Sequence, residues 1–282
     1  MRELLEALAS GECTPAEAER ELRGYVTDAA GRFDAARGDR RGIPEAILAE
    51  GKDPEAVRSL VETAVASTGR AIVTRAEPNH VAAIRDSLPE TADRDAPEGP
   101  REANRDPITD SRTLPEGTEV TDDAGTVYVT GPVYEPPDLP ATVAIVTGGT
   151  ADGPIAAEAV AVPRDAGATI ERIEDVGVAC LDRLLDEIDR IRAADIAVVI
   201  AGREGALPTV TAGLVETPVI GVPTATGYGV GGDGRAALEG MLQSCTVMSV
   251  VNVDAGFVAG AQATLVARAI AAERRSRSDG TP

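Results

Sequence analysis

Lysine, histidine and aromatic side chains are nearly missing from this chain of 282 residues: it has one lysine (Lys52), one histidine (His80), no tryptophan and 2% aromatic residues. With His80 far away in the N-terminal part, a Ser-His-Asp or Cys-His device is excluded from the C-terminal half. A nucleophile there must work with a carboxylate or an arginine. The three cysteines, Cys13, Cys180 and Cys245, have neither metal-type spacing nor the density of a disulfide framework. No apolar run reaches the ~18 residues of a membrane span. The opening MRELLEALASGE has no basic region leading into an apolar stretch, as a secretory signal would. The expected home is a reducing cytoplasm.

What is abundant is negative charge. Asp+Glu number 47 against 27 for Lys+Arg, a net charge of −20. Nucleic acids and anionic membranes need a basic surface, so neither is an expected partner. An acidic chain poor in lysine and aromatics has the composition of a protein adapted to concentrated salt, where charge repulsion is screened to a range of ~3 Å at 1 M. A cation kept at a special position in such a chain carries more weight than usual.

The N-terminal part, 1–88, reads as mostly helical. Leu4, Leu5 and Leu8 share a helical face, and Thr14-Pro15-Ala16-Glu17 starts a second helix. A third begins at Asp53-Pro54-Glu55, continues through Val57, Leu60, Val61, Ala64 and Val65, and should end near Gly69. Ala71–Thr74 is a short strand, and His80 reads as a structural residue of an early helix. Residues 89–125 form an acidic linker or insertion, dominated over 89–118 by proline, aspartate, glutamate and arginine. From 126 to 272 strands and helices alternate. The expected strands are 126–130, 142–147, 168–173, 196–200, 218–222 and 247–253. A helix carrying Leu181, Leu184, Leu185, Ile188 and Ile191 on one face falls between the third and fourth. Residues 273–282 read as a flexible tail. Short apolar strands separated by helices indicate an α/β fold with a Rossmann-like parallel sheet covered on both faces, preceded by a smaller N-terminal α/β region.

Ligands of such sheets sit where the strands end at their carboxyl side. Four turns are expected there. Gly148–Pro154 precedes a helix N-terminus and would suit a phosphate. Ala201–Pro208 presents Glu204, whose partial burial would favour proton transfer. The glycine-rich 223–234 suggests a loop that hugs a ligand. Ser244-Cys245-Thr246 and Asn252–Gly256 form the last, with Cys245 a reactive thiol. Cys180, in Val178-Ala-Cys-Leu181, reads as a buried small hydrophobe.

The stretch AGREGALPTVTAGLVETPVIGVP (201–223) and the GGTADGPIAAEA turn and helix resemble the PurE-type aminoimidazole ribonucleotide carboxylases. The likeness is closer to the nickel-pincer cofactor biosynthesis proteins of the LarB type. The residues that carry it are Asp34-Ala-Ala-Arg37, Arg40, Gly42-Ile-Pro-Glu45, Gly51-Lys52, Asp175-Val-Gly-Val178, Gly227-Tyr-Gly229 and SCTVMSVVNVDAGF (244–257). The chain departs from that pattern at Asp182 and at Ala35-Ala36, where histidines are common. The resemblance implies a flavodoxin-like, PurE-like domain. It also implies carboxylation of nicotinic acid adenine dinucleotide at pyridine C5 and hydrolysis of its phosphoanhydride, with CO2 or bicarbonate as co-substrate, Mg2+, and a homo-oligomer, expected to be an octamer. In that reading Cys245 is the covalent nucleophile and Glu204 the acid/base group. Asp34, Arg37, Arg40, Lys52, Thr150, Asp152, Tyr228, Asn252 and Asp254 bind the substrate, with Asp152 also a metal candidate. The alternatives are a PurE-type carboxylase of purine biosynthesis, against which the histidine-free EDVGVACLDR (174–183) and the N-terminal part argue, and a non-catalytic nucleotide-binding protein.

Overall fold

The computed structural model describes residues 2–11, 13–15, 18, 24–28, 30–89 and 113–279. The chain divides into two compact units, one of residues 1–41 and 45–134, the other of 42–44 and 135–282. The expected helix start at Thr14 involves Ala16 and Glu17, and most of the acidic stretch is 90–112. Both lie outside the described residues.

The first unit contains α1 (Arg2–Ser10), the hairpin β1 (Val26–Asp28) and β2 (Gly31–Phe33), α2 (Arg37–Arg41), β3 (Ile47–Leu48), α3 (Pro54–Thr68), β4 (Arg70–Thr74), α4 (Pro78–Asp86), β5 (Glu119–Asp123) and β6 (Thr126–Thr130). The start of α3 follows from local chemistry. The Asp53 side chain accepts from the Glu55 N–H at 2.9 Å, and Pro54 fills the first turn, where no N–H is needed. The helix ends at Gly69, whose left-handed φ of 77° lets its N–H reach the Val65 carbonyl. Val57, Leu60, Val61, Ala64 and Val65 are buried as the periodicity predicts, against a sheet of order β3-β4-β6-β5. Within 1–88 helices predominate as expected, but the sheet takes β5 (Glu119–Asp123) from the end of the expected linker. It also moves 126–130, expected to open the second domain, into the first unit, where it pairs antiparallel with β4. A strand's partners are chosen over long range, so an isolated apolar run does not announce its sheet. His80 is buried as a structural residue. Its Nδ1 accepts from the Glu77 N–H at 2.9 Å, which leaves Nε2 to donate to the Lys52 carbonyl at 3.0 Å.

The second unit contains β7 (Thr142–Thr147), α5 (Gly153–Asp165), β8 (Thr169–Ile173), α6 (Leu181–Ala193), β9 (Ile196–Ala201), α7 (Ala206–Leu214), β10 (Val219–Pro223), α8 (Arg235–Leu242), β11 (Ser249–Val250) and α9 (Gly256–Asp279). The strands form one sheet of order β11-β10-β9-β7-β8, and every pairing is parallel. Strand β9 is buried along its whole length, because helices cover both faces. On one face α9 lays Ala259, Ala263, Ala267 and Ala271 into the core beside α5. Alanine at this spacing lets two helix backbones approach closely.

Several local expectations change in this unit. Only Leu184, Ile188 and Ile191 of α6 are buried, while Leu181 and Leu185 are exposed, because the apolar stripe is narrower than the leucine count suggests. Cys180 is exposed rather than buried, in a short 3-10 turn ahead of α6. The run 247–253 is an edge strand of two residues, with only β10 beside it to pair with. Helix α9 continues to Asp279, through most of the expected tail.

Asp195, just before β9, fastens the far end of α9. Its Oδ2 accepts from the Thr142 N–H at 2.9 Å and from Arg274 Nη1 at 3.0 Å. Burial pushes its carboxyl upward, but the Arg274 guanidinium and the Thr142 N–H outweigh it, and the net direction is below the usual aspartate value of 3.8. The stabilisation is therefore present above that value and lost as pH falls through the lowered folded-state value. Because Arg274 is more than half exposed, Asp195→Asn should cost only about 1 kcal/mol at neutral pH. Denaturant unfolding should show the gap between variant and parent closing under acid conditions.

Candidate active site

The order β8-β7-β9-β10-β11 places the reversal of winding between β7 and β9, and a doubly wound sheet opens a crevice at the carboxyl ends of such a pair. A cleft of about 370 Å³ lies there, with walls from four connections. Gly148, Gly149, Ala151 and Asp152 follow β7, and Gly177 to Ala179 follow β8. Gly202, Arg203, Glu204, Ala206 and Leu207 follow β9, and Thr226 follows β10.

Close backbone approach makes glycine obligatory in these turns. A Cβ on Gly177 would stand 2.5 Å from the Gly148 carbonyl oxygen. Gly205 adopts a φ of +68°, and a Cβ there would meet the Ala237 carbonyl oxygen at 2.6 Å. The second turn thus holds Arg203 and Glu204 outward between Gly202 and Gly205, ahead of α7.

Asp152 is the buried polar centre of the cleft, 4% exposed. Its Oδ1 accepts from the Thr224 hydroxyl at 2.9 Å and its Oδ2 from the Gly149 N–H at 3.0 Å. Burial pushes its carboxyl above the usual 3.8, the charge of Asp254 adds to the rise, and the hydrogen bonds from Thr224, Gly149 and Gly148 oppose it. Asp254 lies on the β11–α9 connection with a left-handed φ of 54°, and its Oδ1 accepts from the Ala225 N–H at 2.9 Å. Asp152, Thr224 and Asp254 thereby tie together the connections after β7, β10 and β11.

Of the expected site residues, the structure brings Asp152 and Glu204 into one cleft. Glu204 is exposed rather than partly buried, and Asp152 is the carboxylate in a low-polarity setting. Tyr228 stands beside the cleft, its ring 4.5 Å from the Arg203 guanidinium. Asn252 is exposed and accepts the Val253 N–H, and Thr150 is exposed on the 3-10 turn before α5.

Cys245 is not at this rim. It lies on the connection from α8 that enters β11 at its amino end, where neighbouring Thr246 packs beside Gly213 near the last turn of α7. Cys245 is exposed and free, held in a turn closed by the 2.7 Å contact between the Ser244 and Thr246 hydroxyls. Proximity in sequence to Asn252 and Asp254 misleads here, because β11 intervenes and separates the two ends of the segment.

Asp34, Arg37, Arg40 and Lys52 belong to the first unit. Arg40 Nη2 donates to both carboxylate oxygens of Asp34, at 2.8 and 2.6 Å, and Arg37 pairs with Glu45 at 2.6 Å. Asp34 is therefore the partner of Arg40. Lys52 donates to the Leu48 carbonyl and has no carboxylate partner among the described residues.

Sequence reasoning passed over Arg203 and Thr224. A cation within a glycine-flanked turn after a buried strand was a readable signal in so acidic a chain. Thr224 could be recognised only from its contact across 72 residues.

Among the described residues no group of three or more His, Cys, Asp or Glu side chains could hold a metal. Magnesium is commonly held by one or two carboxylates together with substrate phosphates, and Asp152 and Glu204 are the carboxylates that line the cleft. Among the described residues no helix is long and apolar enough to cross a membrane.

A doubly wound parallel sheet binds its small-molecule ligands in the crevice at its switch point, and here that crevice carries two carboxylates. Residues 142–279 match the AIR carboxylase family, and residues 26–97 match the LarB/PurE-like N-terminal domain. The chain belongs to the LarB/PurE-like AIR carboxylase superfamily and is a carboxylase-like enzyme. It is also 31% identical to an uncharacterized protein of Methanocaldococcus jannaschii over 274 residues, 95% of this chain and 97% of that one.

The raised proton affinity of Asp152 has a testable sign. A carboxyl more basic in the folded than in the unfolded chain favours folding below 3.8, and this contribution is lost as pH rises through the folded-state value. The unfolding free energy of the parent relative to Asp152→Asn should therefore increase as pH is lowered from neutrality toward 3.8. A difference independent of pH would contradict the assignment.

Proposed function

We propose that the protein carboxylates nicotinic acid adenine dinucleotide at pyridine C5 and hydrolyses its phosphoanhydride, giving AMP and a biscarboxylated pyridinium mononucleotide. The observation that supports this reading over a PurE-type carboxylase is the union, in one chain, of a LarB/PurE-like N-terminal domain with an AIR carboxylase domain. The simpler purine reading leaves the first unit without a purpose.

A pyridinium ring is electron-poor and does not attack CO2. The Cys245 thiolate adds to a ring carbon next to C5, and the ring becomes a neutral dienamine whose C5 is nucleophilic. C5 forms the bond to CO2, Glu204 takes the C5 proton, and expulsion of the thiolate restores the aromatic ring. Water then cleaves the phosphoanhydride, its oxygen going to one phosphate and the other phosphate leaving. Thr150, Asp152, Tyr228, Asn252 and Asp254 contact the nucleotide in this scheme. Arg37, Arg40 and Lys52 serve its anionic groups, Asp34 binds through Arg40, which it holds, and Lys52 can do so without giving up an ion pair with a carboxylate.

Cys245 does not line the cleft that holds Glu204, so the thiol meets the ring either from a second copy of the chain or through movement of the connection 243–248. A homo-oligomer, by resemblance an octamer, belongs to the first route.

The test is incubation with nicotinic acid adenine dinucleotide, bicarbonate and magnesium in high-salt buffer, followed by mass spectrometry. AMP and a carboxylated nicotinate mononucleotide are expected; intact dinucleotide in the presence of folded protein would overturn the reading. Cys245→Ser should abolish carboxylation, and Glu204→Gln should slow it by about 10²–10⁴. Co-assembly of these two variants should raise turnover well above that of Glu204→Gln alone if the thiol comes from a second copy, and leave it no higher if the thiol moves within its own chain.

A further inference from the structure

Arg203 is the one cation among the residues lining the cleft, beside the carboxylates of Asp152 and Glu204. Its backbone has a left-handed φ of 54°, a conformation that costs energy for a residue with a side chain, and its N–H donates to the Thr226 carbonyl at 3.0 Å. The turn is thus fixed against the glycine-rich loop that carries Tyr228. Among the described residues the Arg203 guanidinium has no carboxylate partner, in a chain with a net charge of −20. Its neighbour is instead the Tyr228 ring, which is 83% exposed.

An arginine stacked on an exposed ring keeps its five N–H donors free at the plane's edge, and that fork matches an oxyanion with two oxygens. Stacking on an exposed ring is weak beside a bidentate, charge-assisted pair with phosphate or carboxylate. A ligand anion entering the cleft can take the guanidinium without breaking an ion pair. The carboxylates nearby make such a cation necessary, since they repel an anionic ligand.

We propose that Arg203 is the oxyanion-binding residue of the cleft, held over Tyr228 until a phosphate or carboxylate of the ligand pairs with it. This rests on the proposed reaction only for the identity of the ligand, a nucleotide bearing both groups. Tyr228 is then a positioning residue: it keeps the guanidinium aimed into the cleft and away from the acidic surface.

The test is calorimetric titration of the full chain, and of Arg203→Met and Arg203→Lys, with AMP, nicotinate and adenosine. Arg203→Met should weaken either AMP or nicotinate by about ten- to a hundredfold and leave adenosine unchanged. Loss on AMP identifies the phosphate as the partner, and loss on nicotinate identifies the carboxylate. Arg203→Lys, which keeps the charge and loses the fork, should fall between. For the dinucleotide reaction the Met variant should raise KM while kcat stays within about twofold. The inference is overturned if the parent binds neither anion, if Arg203→Met binds both as the parent does, or if adenosine is weakened as much as AMP. A parent that binds AMP through Arg203 but does not carboxylate the dinucleotide would sink the proposed reaction alone. A parent that turns over the dinucleotide, with Arg203→Met unchanged in affinity and KM, would sink this inference alone.

Discussion

The buried hydrogen bond from Thr224 to Asp152 holds the cleft together. It joins the connections after β7 and β10, two strands that are not neighbours, across the crevice that the winding of the sheet opens. Burying a carboxylate is costly unless donors surround it, and here a hydroxyl and backbone N–H groups do so. Asp254 extends the bond by fastening the chain after β11 to Ala225. The position of the neighbouring turn with Arg203 and Glu204 follows from the same frame, since Arg203 hangs by its N–H from Thr226, two residues beyond Thr224.

Legibility in the sequence followed the range of the interaction that decides each feature. The Asp53 cap, the Gly69 stop and the apolar stripe of α3 are settled within about four residues, and they appear where the pattern places them. The parallel sheet was equally readable, because strands covered on both faces are continuous apolar runs such as Ile196–Ala201. Features decided over long range were not readable. Thr126–Thr130 has the pattern of a strand, but only its partner in β4 assigns it to the first unit. Ser244 to Gly256 reads as one rim segment, yet the intervening edge strand sends Cys245 to the opposite end of the sheet from Asp254. Glu204 is exposed where partial burial was expected, and Asp152 is the buried carboxylate, because burial depends on what crosses over a side chain, which spacing does not reveal.

The acidity of the chain is handled differently at its surface and in its cleft. On the surface, arginines are spent on carboxylates, as in Arg183 with Asp175 and Arg235 with Glu239. Such exposed pairs stabilise little individually, but they thin the excess negative charge locally. In the cleft the arrangement reverses: the arginine is stacked on a ring and the buried Asp152 carboxylate is held by neutral donors. Charge of each sign is thus left with unspent pairing capacity where a ligand would enter.

The alanine stripe of α9 has a consequence for how this unit responds to temperature. Ala259, Ala263, Ala267 and Ala271 fill their side of the core by close backbone approach rather than by large side chains. Unfolding such an interface exposes less apolar area per residue than a leucine-rich one would. The heat-capacity increment of unfolding grows with that area, so this part of the molecule contributes little of it. A small increment flattens the dependence of stability on temperature, and the close seam between α5 and α9 broadens the range over which the folded sheet persists.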